Sequence, residues 1–317
     1  LRRADTLIRG QATKRFMPCR GIHWQPAKRP RNLAREGVPL NTLEFTAIVG
    51  LGALLAGFLG ALTGLGGGVV IVPMLTLLFG VDIRYAIGAA LVSVIATSSG
   101  AAAAYVRDGY SNIRVGMFLE IATTIGALTG AAVALYLRAS VIAVIFGVVL
   151  LYSAYASYRQ QPHATNGQAP DRIASWLRMD GAFPTPNGLQ NYHVRRVPLG
   201  FLIMFVAGVL SGLLGIGSGA VKVLAMDQAM KLPFKVSTTT SNFMIGVTAA
   251  ASAGIYLSRG YIDPGLAMPV MLGVLGGSLL GARVLAGAAV KTLRIVFSAV
   301  IGILAVEMIY NGIAGKF

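Results

Sequence analysis

Gly57-Phe58-Leu59-Gly60-Ala61-Leu62-Thr63-Gly64-Leu65-Gly66-Gly67-Gly68-Val69-Val70-Ile71-Val72-Pro73 is followed, 151 residues later and without a gap, by Gly208-Val209-Leu210-Ser211-Gly212-Leu213-Leu214-Gly215-Ile216-Gly217-Ser218-Gly219-Ala220-Val221-Lys222-Val223-Leu224. The same offset aligns Gly109-Tyr110 with Gly260-Tyr261, and Gly126-Ala127-Leu128-Thr129-Gly130-Ala131 with Gly277-Ser278-Leu279-Leu280-Gly281-Ala282. Matches that fall on glycines and tyrosines at one fixed spacing mark an internal duplication. A glycine break at corresponding places in two apolar halves is the sequence pattern of a transporter whose site lies between the halves.

Composition sets the solvent. Hydrophobic residues make up 55% of the 317 positions, charged residues only 12%, and mean hydropathy is +0.70; a soluble chain normally carries about a quarter charged residues. The expected fold is an all-α polytopic membrane protein of two homologous halves, with about eight long transmembrane helices plus two short broken or re-entrant helices. The net charge of +16 comes mainly from arginine and lysine outside the apolar runs, as for loops held on the cytoplasmic side. No reader motif or aromatic-interleaved basic face accompanies it, so nucleic acid is not an expected partner. The single cysteine, Cys19, excludes an internal disulfide and a multi-cysteine metal site.

Along the chain, residues 1–41 hold ten basic residues, from Arg2 to Arg35, and read as a disordered basic tail. Apolar runs follow at about 43–62, 69–79, 85–106, 115–137 and 141–158, and again at 197–214, 220–230, 236–257, 266–285 and 292–310. They define a first transmembrane repeat over 43–158, a polar linker over 159–197 in which only Ile173 to Met179 resembles a short amphipathic helix, and a second repeat over 198–313. The second run of each half is about a dozen residues long, too short to cross alone at a rise of about 1.5 Å per residue, and reads as a half-helix. If it re-enters, each half has four spans and the halves are parallel; if it crosses, the halves are inverted. Counting the linker's five arginines with the tail on one side favours the first.

The candidate substrate-binding residues follow from that frame. Gly64, Gly66, Gly67 and Gly68, with Gly215, Gly217, Ser218 and Gly219, each open a short helix, where unpaired N–H groups and the positive end of the helix dipole attract an anion. Lys222 replaces the aligned Ile71 one turn on, and an ammonium inside an apolar segment needs an anion, a carboxylate or water beside it. Thr239, Thr240 and Asn242 open the next helix and can replace an oxyanion's hydration with neutral donors, with Ser93 and Thr97 as first-half contributors; the alternative for all these hydroxyls is helix capping and bonding back to carbonyls. Glu120 could carry a coupling proton or simply reach the interface from its place near Arg114. Gly126/Gly130 and Gly277/Gly281 have the small-xxx-small spacing of close helix packing. The three histidines lie in tail or linker and no nucleophile meets a base, so no enzyme activity, no cofactor and no metal is expected.

At the level of Gly57 to Pro73 and its second copy, the chain resembles the sulfite exporter TauE/SafE family of bacterial inner-membrane proteins, over about Leu43 to Tyr310. Departures are Leu224 in place of Pro73, the added Lys222 and the long basic tail. The resemblance implies a secondary transporter in the bacterial cytoplasmic membrane, embedded in the lipid bilayer, that exports a small sulfur-containing anion such as sulfite, a sulfonate or a related organosulfur oxyanion. A passive anion channel, or a transporter of an unrelated small anion, is the alternative. Oligomeric state is not readable from the residues.

Overall fold

A computed structural model describes residues 42–63, 67–107, 111–159, 171–185, 188–285 and 290–315. The basic tail, Gly64 to Gly66 and residues 286–289 lie outside them. The architecture is helical. In chain order come α1 (Thr42–Thr63), α2 (Gly68–Pro73) running into a π-helical turn (Met74–Leu78), α3 (Ile83–Arg107), α4 (Ile113–Ala134) and α5 (Ala139–Arg159). After the linker follow α7 (Val197–Leu214), α8 (Gly219–Leu224) with its own π-helical turn (Ala225–Ala229), α9 (Phe234–Ser258), α10 (Pro264–Leu285) and α11 (Val290–Ile313). The bounds themselves keep the offset seen in the sequence: α2 and α8, α3 and α9, and α4 and α10 each begin and end 151 residues apart. Even the bond that closes each short helix is matched, Val81 N–H to the Leu75 carbonyl and Leu232 N–H to the Met226 carbonyl, both 3.0 Å.

Large aliphatics point outward. Ile48, Leu51 and Leu55 on α1, Ile121 and Ile125 on α4, Leu202 and Val206 on α7, Leu272 and Leu279 on α10, and Ile303 and Val306 on α11 are all exposed, while Ser93, Thr123, Ser211, Thr240, Thr248 and Ser252 are buried. So much aliphatic surface is stable against lipid tails and not against water. Among the described residues, α4 and α7 are long and apolar enough to cross a bilayer on length and composition alone, and six further helices carry shorter apolar stretches.

Glycine sets the closest packing. A methyl group on Gly126 or Gly130 of α4 would run into the carbonyls of Phe205 and Val209 on α7, and one on Gly208 or Gly212 of α7 would meet Thr123 and Ala127 on α4. In the corresponding pair, Gly57 of α1 abuts Val274 on α10 and Gly277 of α10 abuts Leu54 on α1. The first helix of each half thus packs on the fourth element of the other, backbone to backbone, the contact small residues permit in a membrane.

These contacts also fix directions. Residue numbers rise together along α4 and α7 (Gly126 against Phe205, Gly130 against Val209), and along α4 and α9 (Gly116 against Thr240, Glu120 against Thr248). α7 and α9 therefore run the same way, and the short helix α8 carries the chain back between them. Across the centre, α3 and α9 run oppositely: the Tyr85 and Tyr261 rings pair at 5.5 Å at one end, and Asn112 N–H donates to Thr240 Oγ1 at 3.0 Å at the other. α5 and α11 are likewise antiparallel, with Ser298 Oγ donating to the Ala154 carbonyl at 3.0 Å and Gly312 set against Ser140. Corresponding helices thus point in opposite directions. The halves are inverted, not parallel as charge counting suggested, because one reversal hidden in an eleven-residue segment changes the parity on which that count depends.

Beyond the short helix expected near Ile173 to Met179, the linker holds more order than its polarity suggests. A short helix α6 (Arg172–Trp176) and an antiparallel hairpin, β1 (Gly181–Thr185) with β2 (Gly188–Tyr192), pack Met179, Phe183, Tyr192 and Val194 over Met226, Met230 and Leu232. Asn112 pins it: its Nδ2 donates to the Met179 carbonyl and to the Tyr192 hydroxyl, both at 2.8 Å.

Candidate functional site

The second glycine break is a run of left-handed backbone. Gly215, Gly217 and Ser218 have φ of 69°, 68° and 43°, a conformation glycine adopts freely and serine does not. Ser218 is held there by its Oγ donating to the Ala207 carbonyl at 2.6 Å. The chain leaves the end of α7, doubles back and starts α8 at Gly219, with the Lys222 N–H on the Ser218 carbonyl at 3.1 Å as the first helical bond. The break is buried throughout.

The first break meets it. A methyl group on Gly68, the first residue of α2, would lie 3.3 Å from the Gly215 carbonyl oxygen and 3.6 Å from the Ile216 Cα. Val94 and Ile245, corresponding residues of α3 and α9, close over Gly68 and Gly217. Of the expected glycines, Gly67, Gly68, Gly215, Gly217 and Gly219 are therefore gathered about one point, where Gly67 keeps ordinary helical backbone and accepts from the Val70 and Ile71 N–H groups. Gly64 and Gly66 lie outside the described residues.

Lys222 is completely buried, at 0% exposure. Its Nζ donates to Thr248 Oγ1 at 2.5 Å, and that hydroxyl lies 2.7 Å from Glu120 Oε1 and 2.9 Å from the Met244 carbonyl, both acceptors for its one proton. Thr124 Oγ1 also donates to Glu120 Oε1 at 3.2 Å. Glu120 is 8% exposed, and its Oε2 has no partner among the described residues. Three elements, α4, α8 and α9, therefore converge on an ammonium and a carboxylate linked through one hydroxyl. Burying a lone charge in hydrocarbon is costly, so opposite charges that share a hydrogen-bonded link stabilise each other there.

The other expected polar residues are placed less uniformly. Ser93 Oγ bonds back to the Ala89 carbonyl at 2.8 Å and Thr97 Oγ1 to the Ser93 carbonyl at 3.0 Å. Thr239 Oγ1 bonds to the Val236 carbonyl at 3.2 Å, Thr240 Oγ1 accepts from Asn112 N–H, and Asn242 is half-buried. Ser241 Oγ donates to the Gly219 carbonyl at 3.4 Å, tying α9 to the start of α8. Ser237 and Thr238 hydroxyls are buried without a partner among the described residues. Thr248 was not among the expected residues. Its one sequence signal is that Thr97 and Thr248 are aligned at the offset of 151.

A lipid-facing helical bundle whose two broken helices meet beside a buried charged relay has the make-up of a membrane transporter. The sequence matches the family described as sulfite exporter TauE/SafE over residues 49–308, and the chain belongs to that family. It is 29% identical over 278 residues to the probable membrane transporter protein YunE of Bacillus subtilis, covering 86% of this chain and 99% of that protein. A second Bacillus subtilis protein, the probable membrane transporter protein YdhB, is 27% identical over 73% of this chain and 84% of its own length. A probable membrane transporter protein of Methanocaldococcus jannaschii is 25% identical over 84% of this chain and 95% of its own length. No solved structure matches the chain.

Proposed function

We propose that the chain is a multi-pass secondary transporter of the bacterial cytoplasmic membrane, built from two inverted copies of one unit, that exports a small sulfur-containing oxyanion such as sulfite or a sulfonate. The observation that carries it is the contact between Gly68 and Gly215–Ile216, with Lys222 buried one turn beyond the second break. Two breaks that meet inside a bundle bring main-chain polar groups to a depth where lipid cannot satisfy them, which is tolerated only where protein or a water-filled cavity does, and an anion between the breaks would be such a partner. Lys222 supplies the positive charge, and Ser218 from the break with Thr239, Thr240 and Asn242 from the start of α9 supply neutral polar groups. Ser93 and Thr97 contribute from the first half. Inverted halves give alternating access by rocking one against the other about a fixed site.

The sulfur oxyanion and the outward direction are supported by the family description alone. Uptake of radiolabelled sulfite by proteoliposomes of the full chain tests the proposal. Saturable uptake accelerated by unlabelled sulfite on the opposite side supports a transporter, whereas flux that does not saturate and shows no such exchange identifies a passive pore.

A further inference from the structure

Lys222 and Glu120 together carry no net charge, so a monovalent anion that settles beside Lys222 adds an uncompensated negative charge to the pair at membrane depth. In a medium of low dielectric that excess disfavours binding strongly. One proton removes it. The carboxylate has a place for that proton: Glu120 Oε1 accepts from Thr124 and lies within bonding distance of Thr248, while Oε2 is buried with no partner among the described residues. An ion pair kept only for stability needs its lone pairs satisfied.

The position is also dispensable for the fold. At the offset of 151, the counterparts of Lys222 and Glu120 are Ile71 and Met271, and only the hydroxyl is kept, as Thr97. The bundle is built at that mirrored place without charges, so only one of the two corresponding positions carries them. Few other ionisable groups surround Glu120. Helix α7, packed along α4, has none between Val197 and Leu214. Helix α9 has Lys235 more than three turns before Thr248 and Tyr256 two turns after it, the latter with its hydroxyl on the Gly212 and Leu213 carbonyls. The α8 segment carries Lys222 and, in its π-helical turn, Asp227. On α4 itself Arg114 reaches outward to the Arg178 carbonyl at 3.1 Å.

From this geometry we infer that Glu120 is the coupling-proton site: it takes up one proton when an anion takes its place beside Lys222, with the Thr248 hydroxyl as the switch between the two states. Without anion, Lys222 donates to Thr248 and Thr248 donates to the Glu120 carboxylate. With anion, Glu120 holds its own proton, Thr248 turns to the Met244 carbonyl, and the ammonium serves the bound anion. Charge balances throughout, with one proton and one monovalent anion entering and leaving together, so that export runs down the outward anion gradient and against any inward proton gradient. The inference rests on the anion-transport proposal and adds its coupling ion, its stoichiometry and two residues, with Thr248 a positioning residue.

Calorimetric titration of the full-length protein in nanodiscs with methanesulfonate, an anion that does not titrate near neutral pH, tests it in buffers of different ionisation enthalpy. Wild type is expected to take up about one proton per anion bound, Glu120→Gln to bind with no proton uptake, Thr248→Val to lose most of the uptake and Thr248→Ser to regain it. An infrared difference spectrum of the unaltered protein gives the same answer without any substitution, through a protonated carboxyl band that appears on adding the anion. Binding without proton uptake by wild type, or equal uptake by Glu120→Gln, overturns the inference and leaves anion transport standing. If neither methanesulfonate nor sulfite binds, the transport proposal itself fails, and this inference with it.

Discussion

Glu120 on α4 and Lys222 on α8, 102 residues apart in the chain, reach the same hydroxyl, that of Thr248 on α9. Removing one charge of a buried pair strands the other, typically at about 3–5 kcal/mol. Lys222→Met is therefore expected to lower the melting temperature clearly, and Lys222→Met with Glu120→Gln to recover most of the loss while remaining inactive. Thermal melts of the two variants in one detergent check this; a double variant no more stable than the single one would mean that the two charges are not coupled.

The inverted arrangement makes a prediction about sides. Gly80 and Lys231 are corresponding residues, at φ of 62° and 59°, in the turns that follow the two short helices. With Cys19 replaced by serine, Gly80→Cys and Lys231→Cys are expected to react with an impermeant maleimide from opposite faces of the membrane. Labelling of both from one face would restore parallel halves.

That orientation was hidden in the sequence for a definite reason. The duplication, the glycine breaks and the short second helix of each half are legible, since they rest on local residue type and a constant spacing. Direction is not, because it depends on whether residues 68–78 and 219–229 return across the bundle, and only contacts such as Gly116 with Thr240 record that. The site divides the same way. Lys222 stands out as an ammonium in an apolar run, but its link to Glu120 needs Thr248, which is 26 residues from one and 128 from the other. The linker hairpin is not legible in the sequence because its large apolar residues, Phe183, Leu189 and Tyr192, are too sparse to read as strands.

Close packing gives a paired control within one turn of helix. Gly277 abuts the Leu54 backbone, whereas a methyl group on Gly276 meets nothing within 4 Å. Gly277→Ala is expected to destabilise by about 1–3 kcal/mol through overpacking. Gly276→Ala is expected to be neutral or to stabilise by up to about 1 kcal/mol, since alanine favours helix over glycine. Comparable melting temperatures for the two would refute the backbone contact of α1 with α10.

Ser218 balances two opposing terms. Its left-handed backbone costs about 1–2 kcal/mol relative to glycine, and its hydrogen bond to the Ala207 carbonyl returns about 0.5–1.5 kcal/mol. Ser218→Gly is expected to leave stability within about 1 kcal/mol of wild type, and Ser218→Ala, which keeps the strain and loses the bond, to be the less stable of the two. The opposite order in a denaturation series would show that this turn is not strained.

The central claim is that an anion crosses at the buried ammonium beside the joined breaks, and sulfite counterflow in proteoliposomes measures it most directly. With folded protein matched by size exclusion, wild type is expected to exchange internal for external sulfite, and Lys222→Gln paired with Glu120→Gln to lower the rate at least tenfold. Counterflow at the wild-type rate in that doubly neutral variant would contradict the account.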